Sequence, residues 1–283
     1  MVRRRLAISA ITAVAALAAL LVFPAACKQV PEEVLHNNAN KESNGADPVP
    51  LAQDAEAAFE QTPRTLERVR ISSSMFARAL EFEKARSYDA LWKAARTDAW
   101  LAGYSPDNVE RERHARSGLV YANTALKLQP QGAEALFYHA VLAGFLGDLD
   151  HDYGLDAVSK IETNTKLLIE RDQDVAHGGP WRVLGVLQLR APGPPVSIGS
   201  LRNGKKNLEK ALEKAPLWPE NHLYMAEAEF LWAKDKDKPE FAQQARERLD
   251  KWLLGQQAAA PAGHEFEFAD WQKKARGLLE ANK

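Results

Sequence analysis

Ala125-Leu126-Lys127-Leu128-Gln129-Pro130 and Ala211-Leu212-Glu213-Lys214-Ala215-Pro216 end two helices in the same way, with Ala-Leu-x-x-x-Pro. The first closes a helix that reads from His114 and the second one that reads from Asn207. A new alanine-rich helix follows each within a few residues, over 133–146 and 221–232. Proline has no amide hydrogen with which to continue a helix, so each stop is fixed. Outward from these two places, the chain from Leu51 onward sets apolar or alanine positions at i, i+3, i+4 and i+7. Ala77, Leu80, Phe82, Ala85, Tyr88, Leu91, Trp92 and Ala95 form one such pattern across a helical hairpin. A degenerate unit is expected between the two clear ones, with helices over 156–170 and 180–189. Helices over 240–254 and 266–279 close the array.

Composition agrees with this pattern. Alanine supplies about one residue in six, and Val and Ile are sparse, which favours an all-helical chain. Small residues where helices cross, with a proline closing each second helix, are the signature of tetratricopeptide-type hairpins. The expected fold is therefore all-α, with four or so tetratricopeptide-like hairpins stacked into a short solenoid over residues 51–283. Such a stack buries one continuous core and leaves a concave face. A non-repeat helical bundle is the rival architecture.

The first 27 residues stand apart. Arg3, Arg4 and Arg5 precede an apolar, uncharged stretch over 6–23, the layout of an export signal. Phe23-Pro24-Ala25-Ala26-Cys27 then places two small residues before the only cysteine, which resembles the lipobox of bacterial lipoproteins and makes Cys27 the expected lipidation site. Pro24 stands where the lipobox usually has an aliphatic residue. The apolar stretch also has the length of an uncleaved membrane anchor, about 17 to 25 residues, so that reading stays open. Lys28 in place of an aspartate favours the outer membrane over inner-membrane retention. Residues 28–50 are polar and unpatterned and read as a flexible tether. Being the only cysteine, Cys27 has no intramolecular disulfide partner.

Charge excludes one class of partner. Lys plus Arg is 37 against 38 for Asp plus Glu, so no basic excess points to nucleic acid. No histidine pair has the spacing of a metal site, and neither a P-loop, a dinucleotide fingerprint nor a nucleophile elbow is present, so no enzyme, metal or cofactor is expected. Ser72, Ser73 and Ser74 read as a helix start. Asp148, Asp150 and Asp152 mimic a calcium loop, but its sixth position is Tyr153 and its twelfth Ser159, where glycine and glutamate are required. That segment reads as a polar connection. The run Lys234-Asp235-Lys236-Asp237-Lys238 reads as a solvated loop. Trp218, Tyr224, Trp232, Trp252 and Trp271 read chiefly as helix packing, with ligand lining as the rival.

Two features read as candidate ligand or partner sites. His177-Gly178-Gly179-Pro180-Trp181-Arg182 puts Trp181 and Arg182 at the start of a helix, where the amide ends and the guanidinium would favour an anion. For Arg182 a salt bridge or helix-surface contact is the rival reading. Ala191-Pro192-Gly193-Pro194-Pro195-Val196-Ser197-Ile198-Gly199-Ser200 is a long insertion between helices, stiffened by Pro192, Pro194 and Pro195, and long loops carry function.

Several of these residues also resemble a known family. Ala135-Leu136-Phe137-Tyr138-His139-Ala140 leading to Gly144 and Gly147-Asp148, the helix over 161–168, Gly179-Pro180-Trp181-Arg182-Val183-Leu184-Gly185, Ala191-Pro192, and Ile198-Gly199-Ser200 before 207–216 are similar to the T component that accompanies some bacterial TRAP transporters. The resemblance spans roughly residues 115–254. The chain departs from it at Phe137-Tyr138, where the family's aromatic pair usually includes tryptophan, and at Gly199, a single glycine in place of a doublet. The resemblance implies a periplasmic lipoprotein that docks the transporter's solute-binding protein and that protein's ligand, and that forms a homo-oligomeric ring with a central pore. A scaffold for envelope assembly or secretion is the alternative, with another envelope protein as partner. In both readings lipid on Cys27 is the expected link to the membrane.

Overall fold

The computed structural model describes residues 33–35 and 47–283. Cys27, the export signal and most of the expected tether lie outside the described residues. Among those described the protein is all-helical, with eleven α-helices: α1 Pro48–Glu60, α2 Leu66–Ala79, α3 Tyr88–Tyr104, α4 Asn108–Leu128, α5 Ala133–Leu149, α6 Gly154–Glu170, α7 Gly179–Arg190, α8 Leu201–Lys214, α9 Pro219–Lys236, α10 Pro239–Leu249 and α11 Glu265–Ala281. One π turn, Asp250–Leu254, prolongs α10.

The boundaries follow from capping chemistry. Asp47, Thr65, Ser87, Asp107 and Ser200 each accept a hydrogen bond from an amide in the first turn they precede. Prolines at the starts of α1, α7, α9 and α10 occupy positions whose amides have no partner within the helix. The first helix begins at Pro48, inside the stretch read as tether. Ser72 to Ser74 lie in the middle of α2, not at a helix start: Ser72 donates to Ala55 O at 2.7 Å and Ser73 to Asp98 Oδ1 at 2.7 Å. Lys234 to Lys236 form the last turn of α9, which ends at Asp237 in a left-handed conformation (φ 51°).

Consecutive helices pack in pairs, α1 with α2, α3 with α4, and so on to α9 with α10. The pairing is offset from the sequence reading, because α6 packs mainly on α5 and α7 mainly on α8. Each odd-numbered helix also touches the next odd-numbered one, whereas even-numbered helices scarcely meet one another. Small residues permit this closeness. A Cβ on Gly118 of α4 would sit 2.7 Å from Leu142 of α5 and 3.1 Å from Asp98 Cβ of α3. Buried Ala94, Ala95, Ala115, Ala122, Ala140 and Ala143 belong to the same core.

The last helix returns to the first hairpins. Arg64, buried just before α2, ion-pairs with buried Glu267 of α11. Trp100 Nε1 of α3 donates to the same Glu267 oxygen at 2.8 Å, and Phe266 packs 5.0 Å from the Trp100 ring. Partners more than 160 residues apart thus close the array of helices on itself.

Candidate functional site

Closure makes the odd-numbered helices the walls of a shared interior. On α3, Trp92, Arg96, Trp100 and Tyr104 are spaced by four and share one face. Trp92 stacks parallel to Tyr138 of α5 at 6.2 Å. Arg96 lies over the Trp92 and Phe59 rings and pairs with Glu56 at 2.8 Å and Glu60 at 2.9 Å. Farther along, Arg190 of α7 pairs with Glu227 of α9 and lies 5.6 Å from the ring of Tyr224. Lys274 of α11 bonds Asp270 at 2.8 Å and sits 5.9 Å from the Tyr104 ring.

Trp92, Tyr104, Tyr138 and Tyr224 pack against core clusters with one side and keep another open. Tyr104, Tyr138 and Tyr224 are each partly exposed, and their hydroxyls have no partner among the described residues. The surrounding protein nonetheless disfavours their charged form. Burial pushes the Tyr138 phenol up to about 12 and raises Tyr104 and Tyr224 as well. Lys274 is 48% exposed, yet it feels Tyr224, Asp270 and Glu220 from two helices. Burial works against its charge and those neighbours outweigh it, so its pKa is raised. Tyr104, Tyr224 and Lys274, on α3, α9 and α11, are thus solvated yet within electrostatic reach of one another, as side chains around a hollow would be. It offers aromatic faces, free phenolic hydroxyls and charges already paired, a lining suited to an uncharged or amphipathic organic molecule more than to a bare ion.

Trp181 and Arg182 are buried at the start of α7. The preceding residues Ala176, His177 and Gly178 all have left-handed backbones, with φ of 54°, 59° and 76°. For the two non-glycine residues this conformation costs about 1 to 2 kcal/mol each. It turns their carbonyls toward Arg182: Nη1 donates to His177 O at 3.0 Å and Asn221 Oδ1 at 2.8 Å, and Nη2 to Ala176 O at 3.1 Å. Nε lies 3.1 Å from Glu220 Oε2. Asn221 in turn donates to His177 O, Ala211 O and Ala215 O, joining the end of α8 to the same knot. The helix-start amides are also engaged, Gly178 N by Asp174 Oδ1 and Gly179 N by Val175 O. The anion expected at Arg182 is internal: Glu220 and the backbone carbonyls fill the place of a ligand.

Pro192, Pro194 and Pro195 are exposed in the α7–α8 connection, as expected of an insertion. The loop has a defined shape: Gly199 N bonds Pro192 O at 2.9 Å and Ser200 N bonds Gln188 O at 2.7 Å. Gly199 is obligatory there, because a Cβ would lie 1.9 Å from Ala191 O. The helix rises 1.5 Å per residue, so the length of α7 separates Trp181 and Arg182 from these prolines by about 15 Å. They form no single site. Of the five C-terminal aromatics, Trp271 is core, Trp218 and Trp252 pack on that core, and Trp232 lies outside between Lys205 and Lys236. Tyr224 alone reaches the hollow. Sequence reasoning missed Tyr104, Tyr138, Arg190, Asp270 and Lys274; the signal for the first was the spacing of four along α3.

One buried cluster has the composition of a catalytic triad. Asp98, 1% exposed, meets His114 Nδ1 at 2.9 Å and accepts hydrogen bonds from Ser73 and Ser117. Both serines face the carboxylate, and Arg113 takes the far nitrogen of His114 at 3.2 Å. A nucleophilic serine would have to sit on that far nitrogen. Among the described residues no group of three or more His, Cys, Asp or Glu is placed to hold a metal, and no helix is long and apolar enough to cross a membrane. No model of a known protein family matches the chain, and no curated protein matches it significantly.

Proposed function

We propose that the chain is a tetratricopeptide-like, lipid-anchored binding accessory on the periplasmic face of the cell envelope, without catalytic activity of its own. It docks the solute-binding protein of a TRAP-type uptake system and receives that protein's small ligand in its hollow. The observation that carries a binding role is the set of partly exposed phenols, Tyr104, Tyr138 and Tyr224, whose hydroxyls make no bond among the described residues, on three odd-numbered helices. Phenolic hydroxyls that are reachable from solvent and make no bond within the protein are available to a ligand with polar groups. The order of short motifs across residues 115–254 supports the transporter partner, and the lipobox-like residues before Cys27 support the anchor.

The test is affinity purification of the full-length protein from crosslinked membranes, with mass spectrometry of the copurifying proteins and of the mature N-terminal peptide. A solute-binding protein together with acylated Cys27 is the expected result. Recovery of secretion or outer-membrane assembly components in its place would turn the reading into that of an envelope scaffold.

A further inference from the structure

Glu33, Val34 and Leu35 are held against the body, although they lie in a stretch whose composition reads as a tether. Leu35 N donates to Thr124 Oγ1 at 3.0 Å, and Asn123 Nδ2 donates to Glu33 O at 3.2 Å. The Leu35 side chain packs on the main core. Asn123 and Thr124 are neighbours near the end of α4, only 7% and 9% exposed. A side-chain amide and a hydroxyl thus engage the backbone of an extended segment on either side of one residue, and an apolar contact takes the side chain that follows.

We infer that Asn123 and Thr124 form a strap site that fixes which face of the body is turned to the membrane. This rests on the proposed anchoring at residue 27, and it holds equally if an uncleaved apolar segment does the anchoring. Without the strap, 21 residues separate position 27 from the start of α1 at Pro48, a reach of about 70 Å fully extended. With it, position 27 lies only six steps along the chain from Glu33, a reach of about 20 Å. The strap therefore keeps the end of α4, including exposed Lys127 and Leu128, close to the bilayer, and leaves the opposite side of the body free for a partner.

Two measurements on the full-length protein separate the strap from the anchor. Hydrogen exchange of the Leu35 amide should be at least tenfold slower than in an unstructured chain, and the slowing should disappear in Thr124→Val and in Leu35→Asp. The latter changes only the segment, so the body folds regardless. In vesicles carrying a headgroup quencher, a fluorophore on Leu128→Cys in the anchored protein should be quenched several-fold more than in the same protein bearing Leu35→Asp. An unprotected Leu35 amide overturns the strap. A protected amide with quenching that Leu35→Asp leaves unchanged, on protein whose anchor mass spectrometry has verified, overturns the orienting role. A mature N-terminal peptide with neither acyl chain nor apolar segment removes the anchor, and the orienting role with it, while hydrogen exchange still reports whether the strap forms.

Discussion

Removing the Glu267 carboxylate is the sharpest perturbation of the closed architecture. Glu267 is 4% exposed and Arg64 8%, so Glu267→Ala leaves a guanidinium buried without its counter-charge. Breaking a buried pair from one side costs about 3 to 5 kcal/mol. Trp100 Nε1 loses its acceptor in the same substitution. For a body of this size each kcal/mol moves the melting midpoint by about 2 to 4 °C, so a drop of roughly 6 to 20 °C is expected. Glu267→Gln keeps an acceptor oxygen for Trp100 and Arg64 and should cost about 1 to 3 kcal/mol. Arg64→Met combined with Glu267→Leu should recover most of the loss, since apolar isosteres often replace a buried pair without penalty. Urea unfolding followed by circular dichroism of these three variants, with Arg64→Met and Glu267→Leu alone, gives the costs and their coupling. A Glu267→Ala cost below about 1 kcal/mol, or costs that simply add, would refute the closure of α11 on α3.

Histidine chemistry gives a pH prediction. His222 donates through Nε2 to Pro216 O at 2.7 Å and receives Arg248 at Nδ1, so the folded protein holds it neutral; burial first, then the nearby cations Arg248 and Lys251, lower its pKa from 6.5 to about 4. The unfolded chain binds this proton more readily, so the stability is complete above about pH 6.5 and is lost as pH falls toward 4, by about 3 kcal/mol. His222→Gln should flatten that part of a urea-midpoint profile, and an unaltered slope would contradict the assignment. Gly199→Ala should cost about 1 to 3 kcal/mol and change protease sensitivity within 191–200, because the new Cβ collides with backbone; wild-type resistance to cleavage would contradict the loop geometry. Arg182→Met should destabilise by about 3 to 5 kcal/mol whether or not a partner is present. A loss of partner binding at unchanged stability would restore the external anion site. Tyr224→Phe should leave the melting midpoint within a degree or two, since no hydrogen bond is removed, and lower affinity for a ligand of the hollow about five- to tenfold by calorimetry.

The helices were legible because their information is local. Ala-Leu-x-x-x-Pro at 125–130 and 211–216, the capping residues and the apolar spacing are all read within a few positions, and each lies in or beside a helix of the structure. The hollow was not legible, because Tyr104, Tyr224 and Lys274 lie on three helices far apart in sequence, α3, α9 and α11, and the return of α11 brings them together. Arg182 shows the same limit in another form. Its place at a helix start was correct, but its acceptors Glu220 and Asn221 are almost forty residues away, and the left-handed carbonyls of Ala176 and His177 have no sequence signature, since neither residue is glycine. The segment 33–35 sits in a polar, unpatterned stretch over 28–50, so its order does not show in the sequence. A donor, Asn123, and an acceptor, Thr124, on α4 hold it, through contacts with its backbone that composition does not register.

Three of the buried or half-buried guanidinium knots among the described residues share a position in the architecture. Arg64 joins the first hairpins to α11, Arg182 joins the start of α7 to α9 and the end of α8, and Arg248 joins α10 to α9 through Glu229 at 2.6 Å and His222. Each therefore lies at a join between elements and not inside a single helix. Similar hairpins built largely from alanine and leucine could slide or pair in more than one register with little difference in apolar burial. A guanidinium that needs several oxygens in one plane is satisfied in only one of those registers, and every other register leaves it buried and unpaired. On this argument the buried arginines select the arrangement more than they stabilise it. The inward-facing tyrosines of α3, α5 and α9 depend on that selection, because a slip of one residue in any of these helices turns its side chains by about 100° away from the hollow.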